Sequence, residues 1–271
     1  MGYRHDNSMI MNKPKALILK ADGINRDEEM VYAFNLAGAD ARLVHINDLR
    51  SKHEKISDYQ ILGIPGGFAY GDDIVAGKVL AVEMISYMGE ELRKFVERKN
   101  TAILGVCNGF QVLVRTGLAP FGNLGEMDAT LINNDSGHFE CRWIKVKVEK
   151  NSRSKFLSGL EEEILWYPVA HGEGKFFARA NVLSKIEKDN LVAFRYVDAS
   201  GNSTQKYPDN PNGAINAIVG ISDETGRVLG LMPHPECFVR VEQHPNWRRG
   251  EIKKPQGLPL FENIVKFVKS S

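Results

Sequence analysis

Residues 101–114 read TAILGVCNGFQVLV, in which glycines at 105 and 109 flank Cys107 between two apolar runs. A buried strand, a sharp turn and then an apolar helix form a nucleophile elbow, here with cysteine where many hydrolases carry serine. A nucleophile in a strained turn leaves no room for side chains two positions away, which explains both glycines. Such a turn places the thiol near a helix N-terminus, where the helix dipole favours thiolate. The segment therefore predicts a strand–helix unit with Cys107 as candidate nucleophile; the alternative, a buried cysteine at an ordinary strand-to-helix turn, is weighed against the segments below.

Short apolar segments and helical patterns alternate around this elbow. The predicted elements are strands at 16–19, 41–45, 60–64 and 101–104, and helices at 27–37 and 74–98. Short apolar strands separated by helices are typical of a parallel sheet that is covered on both faces. We therefore expect an α/β fold with a mostly parallel open sheet.

The pattern changes after about residue 128. Apolar and basic residues alternate along 141–148, with Ile144, Val146 and Val148 on one face, which predicts a half-exposed antiparallel strand. Further strands are predicted at 164–166, 191–194, 215–221 and 228–232, and a final helix at 260–268. Because no repeat or linker divides the chain, we expect one domain over 13–271 and a flexible N-terminal extension over 1–12.

The composition excludes several classes of protein. The 35 basic and 34 acidic residues nearly cancel, which argues against a nucleic-acid or membrane surface as main partner. No apolar run approaches the roughly 18 residues of a membrane span, and the polar start lacks the apolar stretch of a signal peptide. The three widely spaced cysteines, at 107, 141 and 237, indicate free thiols in a reducing compartment, hence the cytoplasm.

A cysteine nucleophile needs a general base, and the base needs an orienting group. Among the seven histidines, His234 follows the strand predicted at 228–232 and stands two residues before Glu236. Pro235 keeps His234 out of the helical region, so we expect an extended dipeptide with both side chains on one side. The sequence therefore favours His234 as base and Glu236 as its partner.

An oxyanion formed by acyl transfer needs nearby hydrogen-bond donors. Gly66 and Gly67 follow the third predicted strand, so they should lie at the same sheet edge as Cys107. Backbone N–H groups in a glycine turn can supply such donors, and Asn108, directly after the nucleophile, can supply the second. Gly67 and Asn108 are therefore the predicted oxyanion hole.

Other sites find little support. Residues 71–78 resemble a phosphate-binding loop, but the spacing is wrong and Val79 replaces the required Ser or Thr. The three cysteines lie too far apart for a paired Cys-x-x-Cys metal site, so no metal is expected. The basic stretch at 244–255 is interpreted as a solvated loop, with a docking surface as the alternative.

Five ordered blocks carry a family resemblance. They read PGGFAYGD (65–72), GVCNGFQ (105–111), AHGEG (170–174), NPNG (210–213) and MPHPE (232–236). Together they resemble the class I, triad-type glutamine amidotransferases, which have a flavodoxin-like fold. Within that class they are most similar to the amidotransferase subunits of phosphoribosylformylglycinamidine synthase, over about residues 14–268.

The resemblance implies a reaction and a set of roles. Cys107 would attack the glutamine carboxamide to form a thioester, His234 would shuttle protons, Glu236 would orient His234, and Gln111 would contact bound glutamine. No cofactor is implied in this chain. Ammonia would pass to a large synthetase subunit that uses ATP and magnesium, often with a small third subunit, to make formylglycinamidine ribonucleotide in purine biosynthesis.

Two departures and three rival functions remain. Cys237 stands where an arginine commonly follows the glutamate, and the segment at 241–259 is longer than in many relatives.

The rival functions are an amidotransferase for another synthetase, such as those making anthranilate or CTP, a cysteine peptidase or other hydrolase, and a non-enzymatic binding module. The blocks at 171–174 and 210–213 argue against the first, and the intact candidate triad argues against the third.

Overall fold

The computed structural model describes residues 13–250 and 252–271, so the extension predicted for 1–12 lies outside the described residues. The strands are β1 (Lys15–Lys20), β2 (Asp40–His45), β3 (Ile61–Ile64), β4 (Ala102–Val106), β5 (Ala129–Ile132), β6 (Glu140–Val148), β7 (Ile164–His171), β8 (Lys175–Ala178), β9 (Val192–Tyr196), β10 (Ile218–Ser222) and β11 (Val228–Leu231). Nine of them form one sheet in the order β2-β1-β3-β4-β11-β10-β9-β6-β7, while β5 pairs with β8.

The first half of the large sheet is parallel and buried on both faces. Strands β2, β1, β3, β4 and β11 run parallel, and every residue of β3, β4 and β11 is buried. The helices are α1 (Asp27–Leu36), α2 (Ile46–Arg50), α3 (Lys78–Glu97), α4 (Asn108–Thr116), α5 (Ala180–Lys188) and α6 (Leu258–Ser270). Helix α1 packs on α6 through Phe34 and Phe261, and α3 packs on α4. The predicted α/β fold, with its covered parallel sheet, is confirmed.

The second half is antiparallel, as the sequence pattern predicted. Strands β11, β10, β9, β6 and β7 pair antiparallel in that order. Along β6, Ile144, Val146 and Val148 are buried, whereas Lys145 and Lys147 are partly exposed. One face of this strand therefore belongs to the core, and the lysines lie on the other.

Two boundaries differ from the sequence predictions in ways that matter for the site. The strand predicted at 164–166 continues to His171 through Pro168, which an edge strand tolerates because one side of its backbone needs no partner. The helix predicted from residue 74 begins at Lys78, because Gly77 has φ 73° and ends the preceding loop. The sequence patterns also missed α2, α5, β5 and β8.

Two further predictions change in detail. The strand predicted at 215–221 is a single 3-10 turn at Ile215–Ala217 followed by β10, because Asn216 has φ 52°. In the basic stretch, Trp247–Arg249 forms an exposed 3-10 turn, but His244 is buried against Trp143, so the solvated-loop prediction is wrong for His244. Among the described residues, no helix combines the length and the apolar character that crossing a membrane requires.

Candidate active site

Cys107 joins β4 to α4 in a strained conformation, with φ 52° and ψ −106°. The neighbouring glycines have no space for a side chain. A Cβ at Gly109 would lie 1.9 Å from the carbonyl oxygen of Ile64, and one at Gly105 would lie 2.6 Å from the carbonyl oxygen of Gly109. The glycines therefore let β3, β4 and α4 approach closely enough to hold the thiol in this turn.

The pairing of strands brings His234 to the same edge. Strand β11 lies next to β4 in parallel register, with Leu231 opposite Val106. The backbone N–H of Cys107 donates to the carbonyl oxygen of Leu231 at 2.8 Å, and His234 N–H donates to that of Pro168 at 2.9 Å. His234 is thus held between the end of β11 and the edge strand β7.

His234 and Glu236 form a buried pair. Nδ1 of His234 lies 2.6 Å from Oε1 of Glu236, and the side chains are 4% and 0% exposed. Glu236 reaches the ring from a 3-10 turn over Pro235–Phe238, and not from the extended chain that the sequence predicted. The contact forms all the same, because the turn carries the carboxylate back beneath the imidazole.

The charge of His234 is set by three effects. Burial lowers its pKa, but Glu236 and Cys107 raise it more, to about 10. The ring is therefore an imidazolium close to the sulfur. Nε2 has no well-formed hydrogen bond among the described residues, and Sγ of Cys107 instead lies 3.5 Å from the carbonyl oxygen of Ala170. Such loose geometry is common before substrate binds.

Within residues 13–250 and 252–271, the backbone N–H groups of Gly67 and Asn108, near Cys107, have no acceptor. Phe68 N–H donates to the Gly23 oxygen at 2.9 Å and Asn25 N–H donates to the Gly66 oxygen at 3.3 Å. These bonds flank Gly67, whose own N–H pairs with nothing in the described parts of the chain. Asn108 is the first residue of α4, so its N–H has no acceptor within the helix.

Gln111 lies one turn into α4 and is already hydrogen-bonded. Its Nε2 donates to the carbonyl oxygen of Glu173 at 2.7 Å, and its Oε1 accepts from Nδ2 of Asn108 at 2.9 Å. The same Asn108 amide nitrogen lies 3.1 Å from Oδ1 of Asp72. The predicted contact between Gln111 and glutamine stays a prediction.

A charged cluster to which the sequence pattern assigned no role lies beside α4. The side chains of Arg115 and Glu173 lie 3.9 Å apart. Burial raises the pKa of Asp72, with Glu173 adding to the effect, to about 6. Asp72 and Glu173 belong to two of the five sequence blocks quoted above, and this membership was the one indication that they have a role. Nothing in the sequence indicated that the two residues lie close together.

A second buried histidine, His171, ends β7. Its Nδ1 lies 3.1 Å from Oδ1 of Asn134, which also accepts from Gly174 N–H at 3.0 Å. Burial lowers the pKa of His171, with the charge of His234 contributing, to about 3. His171 is therefore neutral, in contrast to His234.

The structure also brings together a mixed set of possible metal ligands that the cysteine spacing did not indicate. The donor atoms of His234, Glu236 and Cys237 lie within 4.8 Å of one another. Burial raises the pKa of the Cys237 thiol, and Glu236 raises it further, so the thiol is protonated at neutral pH. The described residues thus offer nitrogen, oxygen and sulfur donors at one point.

Comparison with known proteins gives consistent results. A family model described as a CobB/CobQ-like glutamine amidotransferase domain matches residues 13–268. A protein of Dehalococcoides mccartyi named phosphoribosylformylglycinamidine synthase subunit PurQ is 45% identical over 96% of this chain and 99% of its own length. A Methanococcus maripaludis protein of the same name is 40% identical over 95% of this chain and 94% of its own.

Solved structures agree with these matches. A chain from the structure of PurLQS from Thermotoga maritima superposes with a TM-score of 0.71 at 30% identity, covering 94% of this chain and 99% of that one. The glutaminase domain of Trypanosoma brucei CTPS, solved with bound acivicin, reaches a TM-score of 0.53 at 14% identity, covering 96% and 95%. The second likeness concerns the fold alone.

Proposed function

The chain belongs to the CobB/CobQ-like glutamine amidotransferase family, and from that premise we propose that it hydrolyses glutamine as the amidotransferase subunit of a phosphoribosylformylglycinamidine synthase. The observation that carries the chemistry is the strained Cys107 beside the buried pair of His234 and Glu236. Two proteins of that name match this chain over nearly its full length, which supports its assignment as a subunit of such a synthase. We take residues 13–271 as one amidotransferase domain.

The first half of the reaction forms a thioester. The Cys107 thiolate attacks the carboxamide carbon of glutamine, and the negative charge moves to the carbonyl oxygen. The free N–H groups of Gly67 and Asn108 stabilise this oxyanion. The His234 imidazolium then donates its proton to the departing nitrogen, which leaves as ammonia, and the glutamyl thioester remains.

The second half returns the enzyme to its starting state. His234, now neutral, removes a proton from water, and the resulting hydroxide attacks the thioester carbon. Collapse of the tetrahedral intermediate expels the Cys107 thiolate and releases the product side chain as a carboxylic acid, which loses its proton to solvent and becomes glutamate. The imidazolium and thiolate pair is thereby restored, so no proton is gained or lost over the cycle at the site.

Glu236 and Gln111 support these steps without taking part in bond changes. Glu236 accepts a hydrogen bond from Nδ1–H of His234, which holds the ring with Nε2 free for the reacting groups. Gln111 lies at the wall of the site, where exchange of its bond to the Glu173 carbonyl for one to substrate would bind the amino-acid end of glutamine.

In this proposal a partner subunit uses the ammonia. The Thermotoga maritima complex is titled PurLQS, and the curated relatives are named as synthase subunits. We infer that this chain delivers ammonia to a large synthetase subunit, with a small third subunit, and that ATP and magnesium act on the synthetase. The three free thiols, at Cys107, Cys141 and Cys237, fit a reducing cytoplasm.

A labelling experiment tests the proposal. The chain is incubated with a glutamine-like chloroketone and digested for mass spectrometry, with and without excess glutamine. We expect one adduct, on Cys107, which glutamine suppresses. Turnover of peptide or ester substrates in preference to glutamine would instead favour the cysteine hydrolase alternative.

A further inference from the structure

Three side chains with metal-binding atoms, those of His234, Glu236 and Cys237, converge at one point. A ring nitrogen of His234, a carboxylate oxygen of Glu236 and Sγ of Cys237 lie within 4.8 Å of one another. Oε2 of Glu236 is fully buried and has no hydrogen-bond partner in the described residues. A buried carboxylate oxygen without a partner is costly, so it indicates room for a ligand that the protein itself does not supply.

A pocket leads to this point from the surface. It has a volume of about 660 Å³, and Glu236 contributes to its wall. Asp27, Glu28 and Glu29 line its acidic side, while Arg240 is its cationic member. Cys237 is partly exposed. A small cation therefore has a route from the surface to Glu236, the central member of the three donors.

We propose that His234, Glu236 and Cys237 bind a zinc-like divalent ion, and that this ion inhibits the chain. Imidazole nitrogen, carboxylate oxygen and thiolate sulfur are the donors that Zn²⁺ takes in tetrahedral sites. Magnesium and calcium prefer sets made of oxygen alone, so this set disfavours them. Three protein ligands leave one position for water, and the ion stays open to exchange.

The ion inhibits because it uses the bond that orients the catalytic ring. Nδ1 of His234 now donates to Oε1 of Glu236 across 2.6 Å, and the proposed ion takes Nδ1 and the same carboxylate as ligands, so it replaces this hydrogen bond. Binding displaces the Nδ1 proton and the Cys237 thiol proton into solvent. This inhibitory effect rests on the proposed function, whereas binding of the ion does not.

The positive charge of Arg26 opposes binding of the ion. Its guanidinium interacts electrostatically with both Glu236 and Cys237, and its Nη1 donates to Oε1 of Glu29 at 2.6 Å. A fixed positive charge beside the donors weakens binding of a divalent cation. Arg26→Gln should therefore increase the affinity for the ion, a result that a non-specific surface site would not give.

Cobalt absorption tests the ligands directly. In the Cys107→Ala variant the nucleophile cannot bind metal. Addition of Co²⁺ to this variant should produce a thiolate charge-transfer band and tetrahedral d–d bands, which saturate at one equivalent of Co²⁺ per chain. Adding Cys237→Ser should remove the charge-transfer band, and adding Cys141→Ser should not. A band that is absent from Cys107→Ala, or that survives Cys237→Ser, overturns the proposal.

Zinc titration of the glutaminase tests the consequence. Each variant is compared with its own rate in chelator. Cys237→Ser should raise the zinc concentration for half-inhibition by at least about tenfold, the scale on which losing metal-site groups weakens affinity. Arg26→Gln should lower it, and Cys141→Ser should leave it unchanged. Equal inhibition of all variants overturns the inhibitory role, while cobalt bands in a chain without glutaminase activity would contradict only the proposed function.

Discussion

The backbone of Gly66 lies directly against the imidazole of His234: a Cβ at Gly66 would be 2.7 Å from Cε1 of the ring and 3.3 Å from Cβ of Cys107. The first distance is too short for two carbon atoms, so any side chain here must move the ring. The absence of a side chain at one glycine thus sets the spacing between the two reacting groups.

Gly66→Ala should therefore impair catalysis more than folding. A displacement of about 1 Å in a catalytic group can cost on the order of 10²-fold in rate. We expect a loss of that size in kcat for glutamine hydrolysis, with a cooperative thermal transition retained. Gly89→Ala is the matched control, because its Cβ would meet Leu124 Cδ2 at an ordinary 3.7 Å. Normal kcat in Gly66→Ala would contradict the packing argument.

The nucleophile prediction separates Cys107 from an exposed cysteine. Cys107→Ser and Cys107→Ala should lower glutamate release by at least about 10³-fold, as expected for removal of a nucleophile. Cys141→Ser should retain activity, because Cys141 is exposed on β6. Glutamate release is measured enzymatically, and chloroketone adducts are mapped in parallel. Labelling at Cys141, or equal losses in both positions, would refute the assignment of Cys107.

How much of this site the sequence could predict depends on the range of the interactions. The elbow is local: glycines at 105 and 109 and the apolar runs beside them encode the turn, and the structure has φ 52° at Cys107. The half-exposed β6 is local as well, since its alternation is visible in the letters. Such features follow from the preferences of neighbouring residues.

The rest depends on contacts between distant segments. Pro168 suggests the end of a strand, yet β7 continues to His171 because it lies at the sheet edge. Gln111 meets Glu173 because the turn between β7 and β8 lies beside α4 in the folded chain. No pattern within a single segment contains these pairings, so the charged cluster and the neutral His171 were beyond local reasoning.

The two buried histidines of the active site, His234 and His171, should differ in their effect on catalysis. His234→Ala should lower kcat by at least about two orders of magnitude, the scale of general acid–base catalysis. Glu236→Gln should cost less, because the base survives while its orientation suffers. His171→Ala should cost less than His234→Ala, since His171 is held neutral against Asn134. The reverse order of the two histidine variants would require the roles to be reassigned.

The raised pKa of His234 predicts how stability depends on pH. Burial lowers this pKa, but Glu236 and Cys107 raise it above the ordinary 6.5, to about 10. A group with a raised pKa in the fold stabilises it fully below the unfolded value, and this contribution is lost as pH rises through the folded value. The Tm difference between wild type and His234→Gln should thus shrink from about pH 6.5 towards pH 10.

Thermal melts across that pH range check the sign. His171 is present in both proteins, so its own titration largely cancels from the difference. In a Glu236→Gln background the difference should vary less with pH, because the leading cause of the raised pKa is gone. A difference that grows with pH would show that His234 is not held as an imidazolium.

The last prediction concerns dependence on the synthetase. In the isolated chain Nε2 of His234 has no well-formed bond to Cys107, and Gln111 is occupied by the Glu173 carbonyl. Full activity therefore requires a small rearrangement around Cys107 and the turn at Gly66 and Gly67. A partner that binds the rearranged state more tightly increases its population, and coupling of this kind typically changes a binding equilibrium by about 5–150-fold.

Glutaminase activity should thus rise by at least about tenfold when the synthetase and its ligands are added. Unregulated hydrolysis would waste glutamine, so a site completed on docking matches ammonia release to its use. Calorimetry should detect no ATP binding to this chain at millimolar concentration, because ATP acts on the partner. The synthetase should raise kcat, and it should raise it equally in wild type and in the control variant Cys141→Ser. Tight ATP binding by this chain alone, or full turnover that the synthetase does not change, would refute the gated-subunit interpretation.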